Sequence, residues 1–251
     1  MMYFMRKVLF ICALGLALPF GAQSQFYNYA INSLNIPCLT QKGDALIGIA
    51  WGRGLTFQAL EVQGVYSPLP NLAVMANYFD ARDKDVREKL DNGTDFYLWE
   101  AALGLYEKLP KGAASLFAGF GSGSLFSNYG ADRIAKFKLQ RWFLQPGLSY
   151  RNNHFQAGLA LRLTQLGYSR GVVSYSIEPS DLEYIQNIEK SKPLFLPELG
   201  MQAGMRLNPV TINLAISSIF PDTSNWNFSR LNTALSIVVN FRTERSKNLT
   251  D

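Results

Sequence analysis

From Phe155 to Thr164 the chain alternates without a break: Phe155, Ala157, Leu159, Leu161 and Leu163 are apolar, and Gln156, Gly158, Ala160, Arg162 and Thr164 are small or polar. Successive side chains on a strand point to opposite faces, so this period of two predicts a strand with one apolar and one polar face. The pattern returns near the end, where Leu231, Leu235, Ile237, Val239 and Phe241 oppose Asn232, Ala234, Ser236 and Asn240, with Thr233 the one soft spot. Leu199 to Leu207 and Val210 to Ser217 repeat it around Asn208-Pro209, which predicts two strands and a tight turn. Tyr97 to Leu105 and Ala114 to Gly121 alternate as well, whereas the phase is less distinct in Leu55 to Tyr66 and Lys136 to Tyr150.

Strands placed at 44–53, 54–66, 71–80, 95–108, 112–126, 133–151, 153–167, 193–207, 209–220 and 228–242 number ten, with eight or twelve the alternative counts. An even number of antiparallel strands returns both ends to one side. The connections alternate in length: Ser67-Pro68-Leu69-Pro70, Leu109-Pro110-Lys111, Asn152-Asn153 and Asn208-Pro209 are short, while 81–94, 169–192 and 221–227 are longer. Short turns on one side and long loops on the other are the arrangement of an outer-membrane barrel, with its termini on the periplasmic side. The fold class is therefore all-β, an antiparallel transmembrane β-barrel.

Alternation alone does not separate a membrane barrel from a soluble secreted sheet. The composition does. Aromatic residues make up 13% of the chain and charged residues only 17%, too little charge to cover a soluble surface. The polar face is mostly Gly, Ala, Ser, Asn and Gln, which pack inside a narrow barrel. Aromatic residues near predicted strand ends, namely Trp51, Tyr66, Tyr78, Tyr97, Trp142, Tyr150, Tyr168 and Phe241, are candidates for interfacial girdles.

The N-terminus has the order of a secretory signal peptide: Arg6 and Lys7, an apolar run from Val8 to Leu18, then Ala22-Gln23-Ser24, with Gln25 as the expected mature start. That divides the chain into a signal peptide at 1–24, a periplasmic N-terminal segment at 25–43, the barrel at 44–242 and a tail at 243–251. Cys12 lies inside the apolar run behind Phe10 and Ile11, which argues against a lipid anchor, and Cys38 is the one thiol left after cleavage. The net charge of +5 falls by two with the signal, and so mild an excess does not indicate nucleic acid.

Asn35-Ile36-Pro37, Gln41-Lys42-Gly43-Asp44, Tyr66-Ser67-Pro68 and Asn71 to Asn77 resemble a family of uncharacterised Bacteroidota outer-membrane barrels, with a general likeness to small OmpA/OmpW-like barrels. The resemblance implies the barrel and the compartment, and no activity. The partners it implies are outer-membrane lipid, lipopolysaccharide and the barrel-assembly machinery during insertion.

Candidate chemistry is sparse. Glu61, Glu100 and Glu198 face inward on the predicted strands and could meet Arg141, Arg162 and Arg206 across the lumen. Unpaired buried charge costs several kcal/mol, so a structural network that plugs the lumen is favoured over a gated path for a small solute. His154 falls at a periplasmic turn, the wrong rim for a base acting on outer-leaflet lipid, which counts against a lipid-modifying enzyme. Gly119-Phe120-Gly121-Ser122-Gly123 lacks the following helix of a dinucleotide site and is read as barrel wall relieved of curvature strain. No catalytic residue, cofactor or metal is expected. Ser180-Asp181-Leu182-Glu183 forms a capping box, and Leu182, Ile185 and Ile188 follow at helical spacing, predicting a short helix on an outer loop.

Overall fold

The computed structural model describes residues 29–54, 57–83, 92–129, 134–173, 186, 190, 192–220 and 228–242. Among the described residues twelve strands run in chain order: β1 (Tyr29–Ala30), β2 (Asp44–Gly54), β3 (Phe57–Leu69), β4 (Leu72–Asp83), β5 (Asn92–Leu109), β6 (Gly112–Tyr129), β7 (Ile134–Arg151), β8 (Phe155–Val173), β9 (Leu194–Leu207), β10 (Val210–Ile219), β11 (Phe228–Ser229) and β12 (Leu231–Arg242). Ten of them, β2 to β10 and β12, close an antiparallel barrel. The seam joins the last strand to the first, from Arg242 opposite Asp44 to Asn232 opposite Gly54. The expected signal peptide, the C-terminal tail and the capping box at 180–183 lie outside the described residues.

The loop-end halves of β5, β6 and β8 run further than alternation predicts. Gly93 and Thr94 still pair with Asn128 and Ser127, and β8 continues to Val173. Pairing satisfies the backbone of both strands whether or not an apolar face continues, so ladders outlast the hydrophobic pattern that reveals them. At the turn end, Asn71 takes the left-handed conformation, φ 63°, in the tight turn from β3 to β4.

The outer wall is apolar and exposed, including Ile47, Ile49, Leu60, Leu103, Leu161 and Leu235. Seven of the eight expected girdle residues, Trp51, Tyr66, Tyr78, Tyr97, Trp142, Tyr150 and Phe241, point outward and are exposed. On the loop side, charge or amide follows closely on the aromatic residue: Arg53 beyond Trp51, Asp80 and Arg82 beyond Tyr78, Asp95 beyond Tyr97, and Gln140 and Lys138 beyond Trp142. Trp142 and Tyr150 bracket about 26 Å of strand, which at a tilt of about 40° gives about 20 Å along the barrel axis, close to the height of a hydrocarbon band. Tyr168 is the correction. It lies opposite Leu139 and packs into the lumen against Phe137, with ring centroids 6.2 Å apart. The extension of β8 past the membrane band places it beyond the interface, where inward positions are also apolar.

The second correction concerns residues 29–43, expected outside the barrel on the periplasmic side. Tyr29 to Leu39 are buried within the lumen. The segment starts at the loop end, where β1 pairs in parallel with β11, and reaches the turn end where β2 begins. Lumen glycines make room for it. A Cβ on Gly200 would stand 2.8 Å from Leu34 Cβ, and one on Gly158 would stand 2.8 Å from Ile36 Cγ2.

The lumen is layered. Its loop-end third holds Tyr29, Ile31, Phe57, Phe79, Phe96 and Leu98 in one apolar cluster, with Phe79 and Phe96 edge to face at 5.8 Å. Its turn-end third holds Leu39, Val65, Met75, Tyr106, Phe117 and Phe143. The expectation of a polar lumen is thus corrected: buried charge occupies a middle layer between two apolar ones. Gly119 and Gly121 face this interior, where a Cβ would stand 2.4 Å from the Phe143 ring or 3.2 Å from Arg141 and Glu100, so they clear space for large lumen side chains.

Candidate functional site

The middle layer gathers five of the six charged residues singled out in the sequence. Glu61 on β3, Glu100 on β5, Arg141 on β7, Arg162 on β8 and Glu198 on β9 are all inward and at most 2% exposed. Period two carries them there: each sits on the face opposite the exposed apolar residues of its own strand.

Glu100 is the hub. Arg141 Nε donates to its Oε1 at 3.0 Å, a second nitrogen of Arg141 is in ion-pair contact with the same oxygen, and Arg162 Nη1 reaches it at 3.2 Å. Glu198 lies 3.7 Å from both guanidinium groups and accepts from Thr164 Oγ1 at 2.8 Å. Arg162 Nε donates to Gln145 Oε1 at 2.8 Å, and its guanidinium stands 4.5 Å over the Phe143 ring. Arg162 Nη2 and Glu198 Oε2 have no hydrogen-bond partner, so this corner is joined by charge alone.

The threaded segment completes the layer. Asn32 donates from Nδ2 to Glu100 Oε2 at 2.9 Å and accepts from Arg141 Nη2 at 2.8 Å. The Tyr29 hydroxyl contacts Arg141 and donates to Glu198 Oε1 at 3.1 Å. Two buried cations and two buried carboxylates thereby meet on the threaded segment rather than only across the wall. Desolvation of such ions costs several kcal/mol each, and only a full set of charge-assisted bonds offsets it.

Glu61 is held differently. Its carboxylate accepts from Ser33 N at 3.0 and 3.1 Å, from Ser33 Oγ at 2.9 Å, from Asn232 Nδ2 at 2.9 Å and from Gln63 Nε2 at 3.2 Å. Below it, Asn35 Nδ2 donates to Asn77 Oδ1 at 3.0 Å, while Gln145 and Gln202 donate to the carbonyls of Asn35 and Ile36 at 2.8 and 2.6 Å. At the turn end Arg151 spans Cys38 O and Thr40 Oγ1 at 3.4 and 3.3 Å, and Asp44 accepts from Thr40 N and Gln41 N at 2.8 and 3.1 Å.

Arg206 does not join the central layer. It lies near the turn end, where its guanidinium donates to the carbonyl of Asn152. The alternation assigns its face correctly but not its depth, because strand tilt and register decide which inward residues share a level. Sequence reasoning also missed Asn32, Ser33, Asn35, Gln145 and Asn232. Tyr29 to Leu39 does not alternate, so nothing marked it as lumen-bound; its polar Asn32, Ser33 and Asn35 set among Ile31, Leu34 and Ile36 were the available signal.

Two cavities lie beside the threaded segment among the described residues. A vestibule of about 390 Å³ opens at the turn end among Cys38, Asp44, Arg151, Arg206 and Asn240. It leads toward a void of about 30 Å³ beside Asn35, Gln63, Gln156, Gln202 and Asn213, large enough for about one or two waters. His154 is exposed at the β7–β8 turn, where Asn152 Oδ1 accepts from its backbone N at 2.9 Å and from Phe155 N at 2.7 Å.

Solved structures similar to this chain include two β-barrels. The translocator domain of the autotransporter NalP from Neisseria meningitidis is similar at 12% identity, over 80% of this chain and 88% of that one, with a TM-score of 0.39. A KdgM porin is similar at 6% identity, over 78% and 99% of the two chains, with a TM-score of 0.37. No protein-family model and no curated protein sequence matches the chain.

Proposed function

We propose that this protein is a non-enzymatic integral outer-membrane barrel whose lumen is closed by its own N-terminal segment, leaving the loop end for surface interaction. The observation that carries this is the passage of Tyr29 to Leu39 through the lumen, buried throughout and bonded to eight barrel strands. The apolar outer band and its aromatic borders support a membrane setting. Removal of residues 1–24 as a signal peptide, leaving a barrel over 44–242, is part of the same proposal, as is the likeness to Bacteroidota barrels. Lipopolysaccharide would surround the wall, and the barrel-assembly machinery would insert it.

Planar-bilayer recording tests the closed lumen. The full mature protein is expected to give no stable conductance steps, while a variant with Glu100→Ala, Arg141→Ala and Asn32→Ala is expected to give irregular openings. Uniform, long-lived channels from the unaltered protein would refute closure. They would support the alternative, a narrow path for a small solute, which draws its case from the polar vestibule at the turn end.

A further inference from the structure

The outer wall is not uniform around its circumference. A shallow concavity of about 760 Å³ crosses the wall where Ala101 and Ala118 leave it thin between Phe120, Trp142, Leu163 and Phe195. Phe120 and Trp142 pack at 4.8 Å, Trp99 and Phe120 at 5.7 Å, so its floor is small and part of its rim is a row of aromatic rings. Such a trough on a lipid-facing wall accepts an acyl chain in place of a convex surface.

Charge differs above the trough. Outward positions of β2 to β5 beyond the band carry both signs, with Arg53, Asp80, Arg82 and Asp95, and Arg82 is paired with Asp80 at 3.4 Å. Outward positions of β6 to β9 carry Lys136 and Lys138 and no acid among the described residues, their other polar groups being neutral, as in Gln140, Gln165 and Ser169. Lys138 stands four positions from Trp142 on the same face of β7, about 13 Å along the strand. Between Lys138 and Tyr97, Ser124 shares the outer face of both neighbours; it is 2% exposed and its hydroxyl has no hydrogen-bond partner.

We infer that this face is a binding site for a phosphorylated acyl lipid of the outer leaflet, with an acyl chain in the trough and a headgroup phosphate on Lys136 and Lys138. Charge complementarity selects the ligand: a lysine pair above an apolar trough suits an anionic headgroup with its chains below it, and the acid in their row, Asp95, stands two strands away from Lys136 across Phe126. The outer leaflet is the source because the pair lies at the loop end, and this assignment rests on the outer-membrane orientation proposed above.

The test uses the mature protein in nanodiscs of phosphatidylcholine doped with diphosphoryl lipid A, followed by delipidation and native mass spectrometry. The unaltered protein is expected to retain lipid A at least about tenfold more than the K136Q/K138Q double variant. Ala118→Trp, which fills the trough, is expected to lose retention with the lysines in place. Equal retention by the double variant, or equal retention of phosphatidylcholine by the unaltered protein, would overturn the site. Displacement of lipid A by inorganic phosphate alone would overturn the acyl contribution. Each variant must keep the heat-modifiable gel mobility of the folded barrel, since both changes lie on the outer surface. Orientation is read separately by labelling Gln140→Cys on intact cells with a membrane-impermeant maleimide: failure there would refute the loop-out orientation while leaving the lipid measurement interpretable.

Discussion

Arg141 and Trp142 are neighbours in sequence with opposite surroundings. Arg141 is 0% exposed, held by Glu100, Asn32 and Tyr29, whereas Trp142 is 63% exposed on the outer wall and touches Phe120. The barrel is polar in its middle and apolar outside, and the two faces obey different rules. A lipid-facing position needs only to be apolar, because acyl chains adapt to whatever side chain they meet. An ion in the lumen needs particular atoms at particular distances, because no solvent replaces a missing one. Specificity is concentrated inside.

The sharpest way to break this contrast is to truncate the two neighbours in parallel. Arg141→Ala leaves Glu100 without its main cation and is expected to cost about 3–5 kcal/mol, read from urea unfolding in lipid vesicles. Trp142→Ala is expected to cost much less, since lipid fills the space, and similar losses for the pair would end the distinction. Depth on the outer wall gives the next effect. Ile49→Lys, within the apolar band, is expected to cost about 2–4 kcal/mol, and Gln140→Lys, beyond Trp142, about 0–1 kcal/mol by the same measurement.

Smaller effects separate the threaded segment from the wall. Glu61→Gln sets an amide donor against the donors of Ser33, Gln63 and Asn232 and is expected to cost about 1–3 kcal/mol. Its signature is local: Cys38, buried in the unaltered protein, should react faster with a maleimide while the barrel stays folded. An unchanged Cys38 rate would mean that Glu61 does not hold the segment. Asn35→Ala removes a neutral bond to Asn77 and is expected to cost about 1 kcal/mol, less than Glu61→Gln, on the same labelling readout.

The wall was legible because lipid imposes a binary demand at every second position. Ten strands, the short turns at Pro110, Asn152 and Pro209, and the outward orientation of seven of the eight aromatic residues followed from that demand, whereas β3 runs on through the turn expected at Ser67 to Pro70 and turns only before Leu72. Tyr168 escaped it: beyond the hydrocarbon band the outer face turns polar and the inner face apolar, so an aromatic residue there no longer marks an interface. Phe96 and Leu98 were hidden for a related reason, since in alternation with Tyr97 and Trp99 they read as a continuous apolar run rather than as lumen-facing positions.

The lumen was legible only by face. Inward-pointing Glu61, Glu100, Arg141, Arg162, Glu198 and Arg206 follow from parity along each strand. Which of them meet depends on shear, the stagger that accumulates around the closed sheet, and local pattern carries no trace of it. Tyr29 to Leu39 could not be placed at all from sequence, because its bonds run to residues from about 28 to 199 positions away and it has no period of its own. By itself the sequence determined the faces of most strands and an even count centred on ten, since those obey the local choice between lipid and lumen, while the phase of 55–66 and 136–150 and the exact number waited on closure of the sheet. The level at which the charges gather, and the segment that fills the space between them, were decided by the tertiary structure, because only closure of the barrel fixes the distances over which buried ions are compensated.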